Sequence, residues 1–467
     1  MKHTDVVIIG GGPVGCVLGI LLIDAGVDVV LIERDEKPYQ LPRAIVMDDE
    51  IYRTLSDHGL GKWLEANTST LERGDFVDAE GNEILGADIP PRGLLGVPPV
   101  VVHYQPDLDV MLREEFEARG GHARWGMTIK DAVDHGDKVV AVCSDGETIE
   151  SRWLVGCDGA SSWTRKNFGL TLEDLQFDQE WLVVDLELKD TAKVELPLGV
   201  RQYCKPDRPC TYVKGARNYR RWEFQVQEHE SADLLNTTDG LWSLLADWIA
   251  PSDAEIVRSA VYRFHAVVAP SMQKGNVFLA GDSAHQMPPF AGQGLNSGMR
   301  DAVNLAWKLG FVKNGWLPES VLGTYTTERV PHVRSSVAAA VDLGRLIDQL
   351  AGRVSHGVGL ESGYGGARPA PFLESGLVVA GDPRVGHQFW AQPEVSRMAV
   401  SDGGSFVVVS GAAVELPEEL RRIRAKSLVD PSACTDAFAI LVRPDLYVAA
   451  VASDADDLKR CASALFA

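Results

Sequence analysis

The chain has 467 residues, room for about three domains at ~150 residues each and for a large core without disulfides or metals. Hydrophobic residues make up 45% and charged residues 24%, which excludes wholesale disorder and fibrous repeats. With 45 Lys+Arg against 66 Asp+Glu the formal charge is −21, the wrong sign for a nucleic-acid backbone binder.

The seven cysteines are scattered and show neither a C-x-x-C pair nor zinc spacing; they read as reduced thiols of a cytoplasmic protein, with no metal site. The uncharged run 6–23 is broken by Gly10-Gly11-Gly12-Pro13, so it reads as neither a signal peptide nor a membrane span. Instead, residues 5–9 read as a buried strand, 14–25 as a helix ended by Gly26, and 28–32 as a second strand. That is a β-α-β unit of a parallel sheet. Residues 105–119 are amphipathic and helical. Runs 138–144 and 147–155 read as strands joined by Asp145-Gly146. From 181 the pattern changes to period two, with Leu182, Val184, Leu186 and Leu188 on one face. This predicts an inserted, mostly antiparallel sheet reaching about 265. Strand character returns at 277–280 before a Gly-rich loop and a helix over 297–312. Residues 351–370 are Gly-rich and read as a linker. Strands over 406–409, 439–442 and 447–451 and a helix over 454–465 complete the chain.

Three motifs carry chemistry. Gly10, Gly12 and Gly15 form a Gly-x-Gly-x-x-Gly turn. Gly10 permits the turn, Gly12 the approach of a pyrophosphate, and Gly15 close helix–strand packing. The helix N-terminus, with Pro13 and Val14, offers free N–H groups to the phosphates. Glu33, flanked by Arg34, ends the second strand where a carboxylate can accept ribose hydroxyls. The strand end at Cys157-Asp158-Gly159 is the second motif, an Asp-Gly turn at the sheet edge. The third runs from Gly281-Asp282 through His285 and Pro288 to Gly292, Gly294, Leu295 and Asn296. There Asp282 can accept polyol hydroxyls, and a loop feeding a helix N-terminus can stabilise negative charge on a flavin ring.

In this order the three motifs resemble the single-component FAD-dependent aromatic hydroxylases, the group that includes para-hydroxybenzoate hydroxylase. Two intervening segments, Leu41-Pro-Arg43-Ala44 and Gln105-Pro-Asp107-Leu, are family-like. Within the group the chain is most similar to the 3-(3-hydroxyphenyl)propionate hydroxylases, on residues 42–50, 220–224 and 296–308. The resemblance spans about residues 5–332. It implies tightly but non-covalently bound FAD, with Glu33 on the adenosine ribose, Arg43 and Gln105 on the FAD, and Asp158 near its pyrophosphate. Asp282 would hold the ribityl chain, and Pro288 with 292–296 would line the ring. NAD(P)H and O2 are the implied co-substrates, and oxygen would reach a phenolic ring through a flavin C4a-hydroperoxide. No second Gly-x-Gly-x-x-Gly is present, in keeping with a family that lacks a separate nicotinamide domain.

The implied architecture is α/β. A Rossmann-type FAD domain (1–75, 101–180, 266–350) carries a β-sheet substrate domain (76–100, 181–265). After the linker, 371–467 resembles a shortened thioredoxin-like module, and Cys434 and Cys461 lack redox spacing. Candidates for the substrate pocket are Arg201, Tyr203, Tyr212, Arg221, His265 and His285, and the sequence singles out no catalytic base. The expected substrate is a small phenol such as a hydroxyphenylpropionate-like acid, and the expected assembly a homodimer without membrane or nucleic-acid partners. Two alternatives stand beside this: a tailoring or resistance hydroxylase of a larger polyketide or antibiotic, and another flavoprotein such as a redox sensor or reductase.

Overall fold

The computed structural model describes residues 2–191, 193–353, 372–390 and 392–466. Most of the expected linker, including Gly365 and Gly366, lies outside them.

The N-terminal unit forms as its pattern predicts. Strand Lys2–Ile9 pairs in parallel with Val29–Glu33 and with Thr148–Gly156. Strands His122–Trp125 and Val277–Leu279 extend this parallel sheet on its two sides. A hairpin, Ile129–Asp134 with Val139–Cys143, hangs from Thr148–Gly156. Helix Pro13–Asp24 is apolar nearly all round because it lies inside the domain, between the sheet and helices Gln105–Ala118 and Gln293–Lys313. Leu18 and Leu22 are fully buried, each stabilising the fold by about 1.5–3 kcal/mol. The helix ends at Ala25, and Gly26 takes a φ of +73°, open to glycine at little cost.

A second sheet of eight strands lies against this domain. In spatial order it runs His285–Gln286, Ala254–Val268, Glu173–Leu188, Tyr219–Gln225, Cys210–Lys214, Val200–Tyr203, Arg73–Val77 and Glu83–Asp88. All its pairings are antiparallel except that of Val200–Tyr203 with Arg73–Val77. The sheet begins at Arg73 and Glu173, before the expected 76 and 181. The strand Glu173–Leu188 runs sixteen residues, and its first part is irregular in register, so period two becomes visible only from Trp181.

The two faces of this sheet differ. Leu182, Val184, Leu186, Tyr212, Trp222 and Phe224 pack with Leu241 and Leu245 of helix Thr238–Leu245. The opposite face, with Trp181, Val200 and Val213, meets Phe290, Val46 and Val102 of the first domain. The second face is thus the one turned toward the first domain.

The C-terminal part forms a four-stranded mixed sheet in the order Lys426–Val429, Val407–Ser410, Ala439–Val442, Val448–Ala452, followed by helix Ala455–Phe466. It is fastened to the first domain by a buried charge network. Glu328 Oε2 lies 2.7 Å from Lys308 Nζ and 2.8 Å from Arg443 Nη2, and Arg443 also reaches Asp445 at 2.6 Å. No described helix is long and apolar enough to cross a membrane.

Candidate active site

Each glycine of the first motif answers a backbone requirement. Gly10 has φ +111°, and a Cβ there would stand 2.3 Å from the Cys157 carbonyl oxygen. A Cβ on Gly15 would stand 2.0 Å from the Gly10 oxygen. At Gly12 a Cβ would meet nothing within 4 Å, and no side chain caps the helix beginning at Pro13. The helix therefore presents unsatisfied N–H groups to open space, the arrangement that receives a pyrophosphate. Val14 packs beside the third motif, since Cβ atoms on Gly281 and Gly298 would stand 3.1 and 2.8 Å from its Cγ2.

The Glu33 carboxylate accepts the Gly11 N–H at 2.6 Å and the Asp35 N–H at 2.8 Å. One acceptor site on each oxygen is thus engaged, and carboxylate oxygens have more to offer. Arg34 is exposed, 3.5 Å from Asp35. Two residues beyond those expected brace the loop. Arg113 Nε donates to the Gly11 carbonyl at 3.2 Å, and its guanidinium stacks 4.1 Å from the Trp125 ring. Only the amphipathic helix pattern hinted at Arg113, because its partner is a backbone carbonyl about a hundred residues away.

Arg43 is half exposed, with its guanidinium 5.0 Å from the Tyr39 ring and 3.9 Å from Asp109. Gln105 is buried and accepts the Ala44 N–H at 2.5 Å, so its side chain fixes the Arg43 segment. Burial pushes the Asp109 carboxyl up to about 6, with Arg43 opposing. Asp158 turns its carboxylate to Ser162 and Thr164, capping the short helix Trp163–Asn167. Its backbone N, by contrast, abuts Gly10.

Asp282 is the exposed residue of a turn whose other members are buried. Even so, burial pushes its carboxyl above the usual carboxylate range, with His285 and Arg43 opposing. No described residue hydrogen-bonds its carboxylate. His285 is buried, its Nε2 2.6 Å from Asp301 Oδ2. The same oxygen accepts the Gly281 N–H at 2.9 Å, and Arg329 holds Oδ1 at 2.8 Å. His285 thus braces the Gly281 turn.

Helix Gln293–Lys313 starts four residues before the expected 297. Gly292 precedes it at φ +63°, where a Cβ would stand 2.8 Å from that of Val46, and no side chain caps it. Pro288 is buried, and a Cβ on Gly294 would meet nothing closer than 4.0 Å. Leu295 is half-buried in the first turn. The Asn296 side chain is directed to protein, accepting the Asp48 N–H at 3.1 Å and donating to the Gly292 carbonyl at 2.8 Å.

The candidate pocket residues separate. Arg221 lies on the inner face, its Nε and Nη2 on Asp185 at 2.7 and 3.0 Å and its Nη1 on the Arg43 carbonyl at 2.7 Å. Tyr203 and Tyr212 face the other way, into the apolar layer with Trp222 and Trp248. Arg201 pairs with Asp75 on that far face. His265 is exposed there too, because its neighbours Phe264 and Ala266 hold the inward positions. The expectation that these four line the space beside the flavin loop is therefore corrected: strand alternation turns them outward. The inner face instead carries Trp181, Asp185, Tyr219, Arg221, Glu223 and Arg258. Tyr219 stacks on Tyr104 with ring centroids 4.2 Å apart, and the Trp181 ring meets Phe290 at 5.3 Å.

Residues 3–340 match the FAD binding domain family. The chain belongs to that family, and FAD is its cofactor. Among curated relatives it is 37% identical over 352 residues to a probable NADH-specific resorcinol 4-hydroxylase of Rhodococcus jostii (strain RHA1), covering 74% of this chain and 66% of the relative. It is 34% identical over 357 residues to a 3-(3-hydroxy-phenyl)propionate/3-hydroxycinnamic acid hydroxylase of Mycobacterium sp. (strain KMS), covering 75% and 61%. The match thus spans less than two thirds of either relative. The fold is that of the flavin-dependent monooxygenase PieE in complex with FAD and substrate (TM-score 0.81, 20% identity, 99% of this chain and 98% of that one). It is also that of aklavinone-11 hydroxylase with FAD and aklavinone (TM-score 0.80, 20% identity, 100% and 99%).

Proposed function

We propose that this protein is an FAD-dependent monooxygenase that uses NAD(P)H and O2 to hydroxylate a small phenolic substrate. The observation that carries the reading is the set of three features that Val14 brings together: the open space at Gly12, the Asp282 carboxylate that no described residue hydrogen-bonds, and the uncapped start of helix Gln293–Lys313. The hydroxylase names of both relatives support the reaction class.

In this reading the Gly10–Gly15 turn and the N-terminus of Pro13–Asp24 hold the pyrophosphate. Glu33 takes the adenosine ribose and Asp282 the ribityl hydroxyls. Arg43 and the backbone of Asp158 flank the pyrophosphate. Bound FAD, reduced by NAD(P)H, supplies the oxygen-activating chemistry. The N–H groups at the start of Gln293–Lys313 stabilise negative charge that develops on the ring. Trp181, Phe290 and the Tyr104–Tyr219 stack keep water away from the phenol. The seven free cysteines, six of them buried, fit a cytoplasmic enzyme, and a homodimer is the expected assembly.

Anaerobic stopped-flow reduction of the holoenzyme by NADH and by NADPH, with and without a panel of phenols, tests the reading. Acceleration by at least one phenol is expected. A flavin whose reduction rate is indifferent to every phenol would count against it.

A further inference from the structure

The inner face of the second sheet carries four buried ionisable side chains, Asp185, Arg221, Glu223 and Arg258, all of them within 4 Å of an opposite charge. Arg221 spends all its outward nitrogens on Asp185 and on the Arg43 carbonyl. Arg258 Nη1 lies 3.5 Å from Asp185, and its guanidinium stacks 5.1 Å from the Tyr262 ring. Glu223 has the longest of these contacts. It is 7% exposed, makes no hydrogen bond to any described residue, and has its nearest cation, Arg221, at 3.9 Å. Thr211 across the strand is not its partner, being bound to Gln202 at 2.6 Å. Burial pushes the Glu223 carboxyl up to about 7, with Arg221 opposing and Asp185 adding to the rise. The Glu223 oxygens are not sealed from solvent, so a carboxyl held this deep with no hydrogen bond from the protein is open to a donor from a ligand.

Along Tyr219–Gln225, Glu223 stands between Arg221, which is bonded to the Arg43 segment, and Gln225, which pairs across to Trp181 beside Phe290. It therefore lies midway between the segment expected at the FAD and the loop expected at the ring.

We propose that Glu223 is a specificity residue of the aromatic pocket, accepting a hydrogen bond from a hydroxyl of an uncharged phenol, so that the pocket selects dihydroxybenzenes over hydroxyaryl carboxylic acids. This rests on the hydroxylase reading above. The inner-face charges balance when Glu223 is ionised: Arg221 and Arg258 against Asp185 and Glu223. A substrate carboxylate would bring another negative charge beside Glu223, with the Arg221 donors already committed. A second hydroxyl brings the donor that Glu223 lacks. Sites built around a buried hydrogen-bonding group discriminate strongly against ligands that leave it unpaired.

Flavin absorbance changes of the holoenzyme give dissociation constants for resorcinol, phenol and 3-(3-hydroxyphenyl)propionate, and stopped-flow with NADH gives the reduction rate with each. The wild type should bind resorcinol at least tenfold tighter than the acid. Glu223→Gln should weaken resorcinol about tenfold, leave or improve the acid, and so narrow the ratio. Glu223→Asp, which keeps the charge, should retain the preference for resorcinol. Tighter binding of the acid by the wild type, or an unchanged ratio in Glu223→Gln with its flavin spectrum intact, overturns the proposal alone. If none of the three ligands perturbs the flavin or its reduction while another phenol of the panel does, the proposal falls and the hydroxylase reading stands; if no phenol does, both fall.

Discussion

The Tyr447 hydroxyl donates to Glu50 Oε1 at 2.8 Å, tying the C-terminal module to the start of helix Asp49–Leu55. Glu50 Oε2 binds Arg300 at 2.6 Å, Arg300 binds Asp48 at 2.6 Å, and the Asp48 N–H is held by Asn296. Asn296 lies in the first turn of the helix expected to face the flavin ring. The C-terminal module is thus joined, through buried hydrogen bonds, to the placement of that turn.

Removing this hydroxyl leaves a buried Glu50 oxygen with Gln388 as its remaining partner. Tyr447→Phe should cost about 1–2 kcal/mol of stability. Urea unfolding of the holoenzyme checks the value, and a variant as stable as the wild type would show that the link does not bear on the fold.

A larger cost is expected at Glu328. Burial alone would raise its pKa, but Arg443 and Lys308 override burial and hold the carboxyl well below the usual carboxylate range. Because the native value is depressed, this contribution to stability is fully present above the unfolded value of about 4.3. It is lost as pH falls through the native value. Glu328→Gln leaves the buried Lys308 without its carboxylate and Arg443 with Asp445 alone, and should destabilise by about 3–5 kcal/mol. Stability measured between neutral pH and pH 3 should fall less steeply in the variant; parallel curves would contradict the assignment.

The two helix-start glycines should separate binding from folding. A Cβ on Gly12 meets no protein atom within 4 Å, whereas one on Gly15 strikes the Gly10 carbonyl at 2.0 Å. Gly12→Val should leave the melting temperature of the apoprotein near the wild-type value and reduce FAD affinity at least tenfold. Gly15→Val should lower the melting temperature of the apoprotein itself.

Asp282→Ala deletes an exposed acceptor that no described residue hydrogen-bonds, without opening a core cavity. FAD affinity, followed by flavin fluorescence quenching, should weaken about tenfold, in keeping with the loss of a charge-assisted hydrogen bond. Full flavin retention at limiting FAD would place that residue elsewhere.

The nucleotide loop was legible in the sequence because each of its glycines answers a backbone demand: the positive φ of Gly10, the contact of Gly15 with Gly10, the empty space over Gly12. The same holds for period two from Trp181, which places Leu182, Val184 and Leu186 together on one buried face. The pocket was not legible. Whether Tyr212 points toward the flavin loop or away depends on its register against Trp222 and on helix Thr238–Leu245 covering that face. Neither is written locally in Tyr212. Glu223 left one signal, a carboxylate inside a strand whose residues from Arg220 on are all buried, but that no protein group hydrogen-bonds it emerges only once Arg221 is seen to be committed to Asp185.

The most direct test of the account is turnover of the holoenzyme with NADH, 18O2 and a phenol that accelerates flavin reduction, with the product analysed by mass spectrometry. One labelled oxygen atom on the aromatic ring is the predicted result. Oxidation of NADH that yields only hydrogen peroxide and unlabelled phenol, across the whole panel, would contradict it.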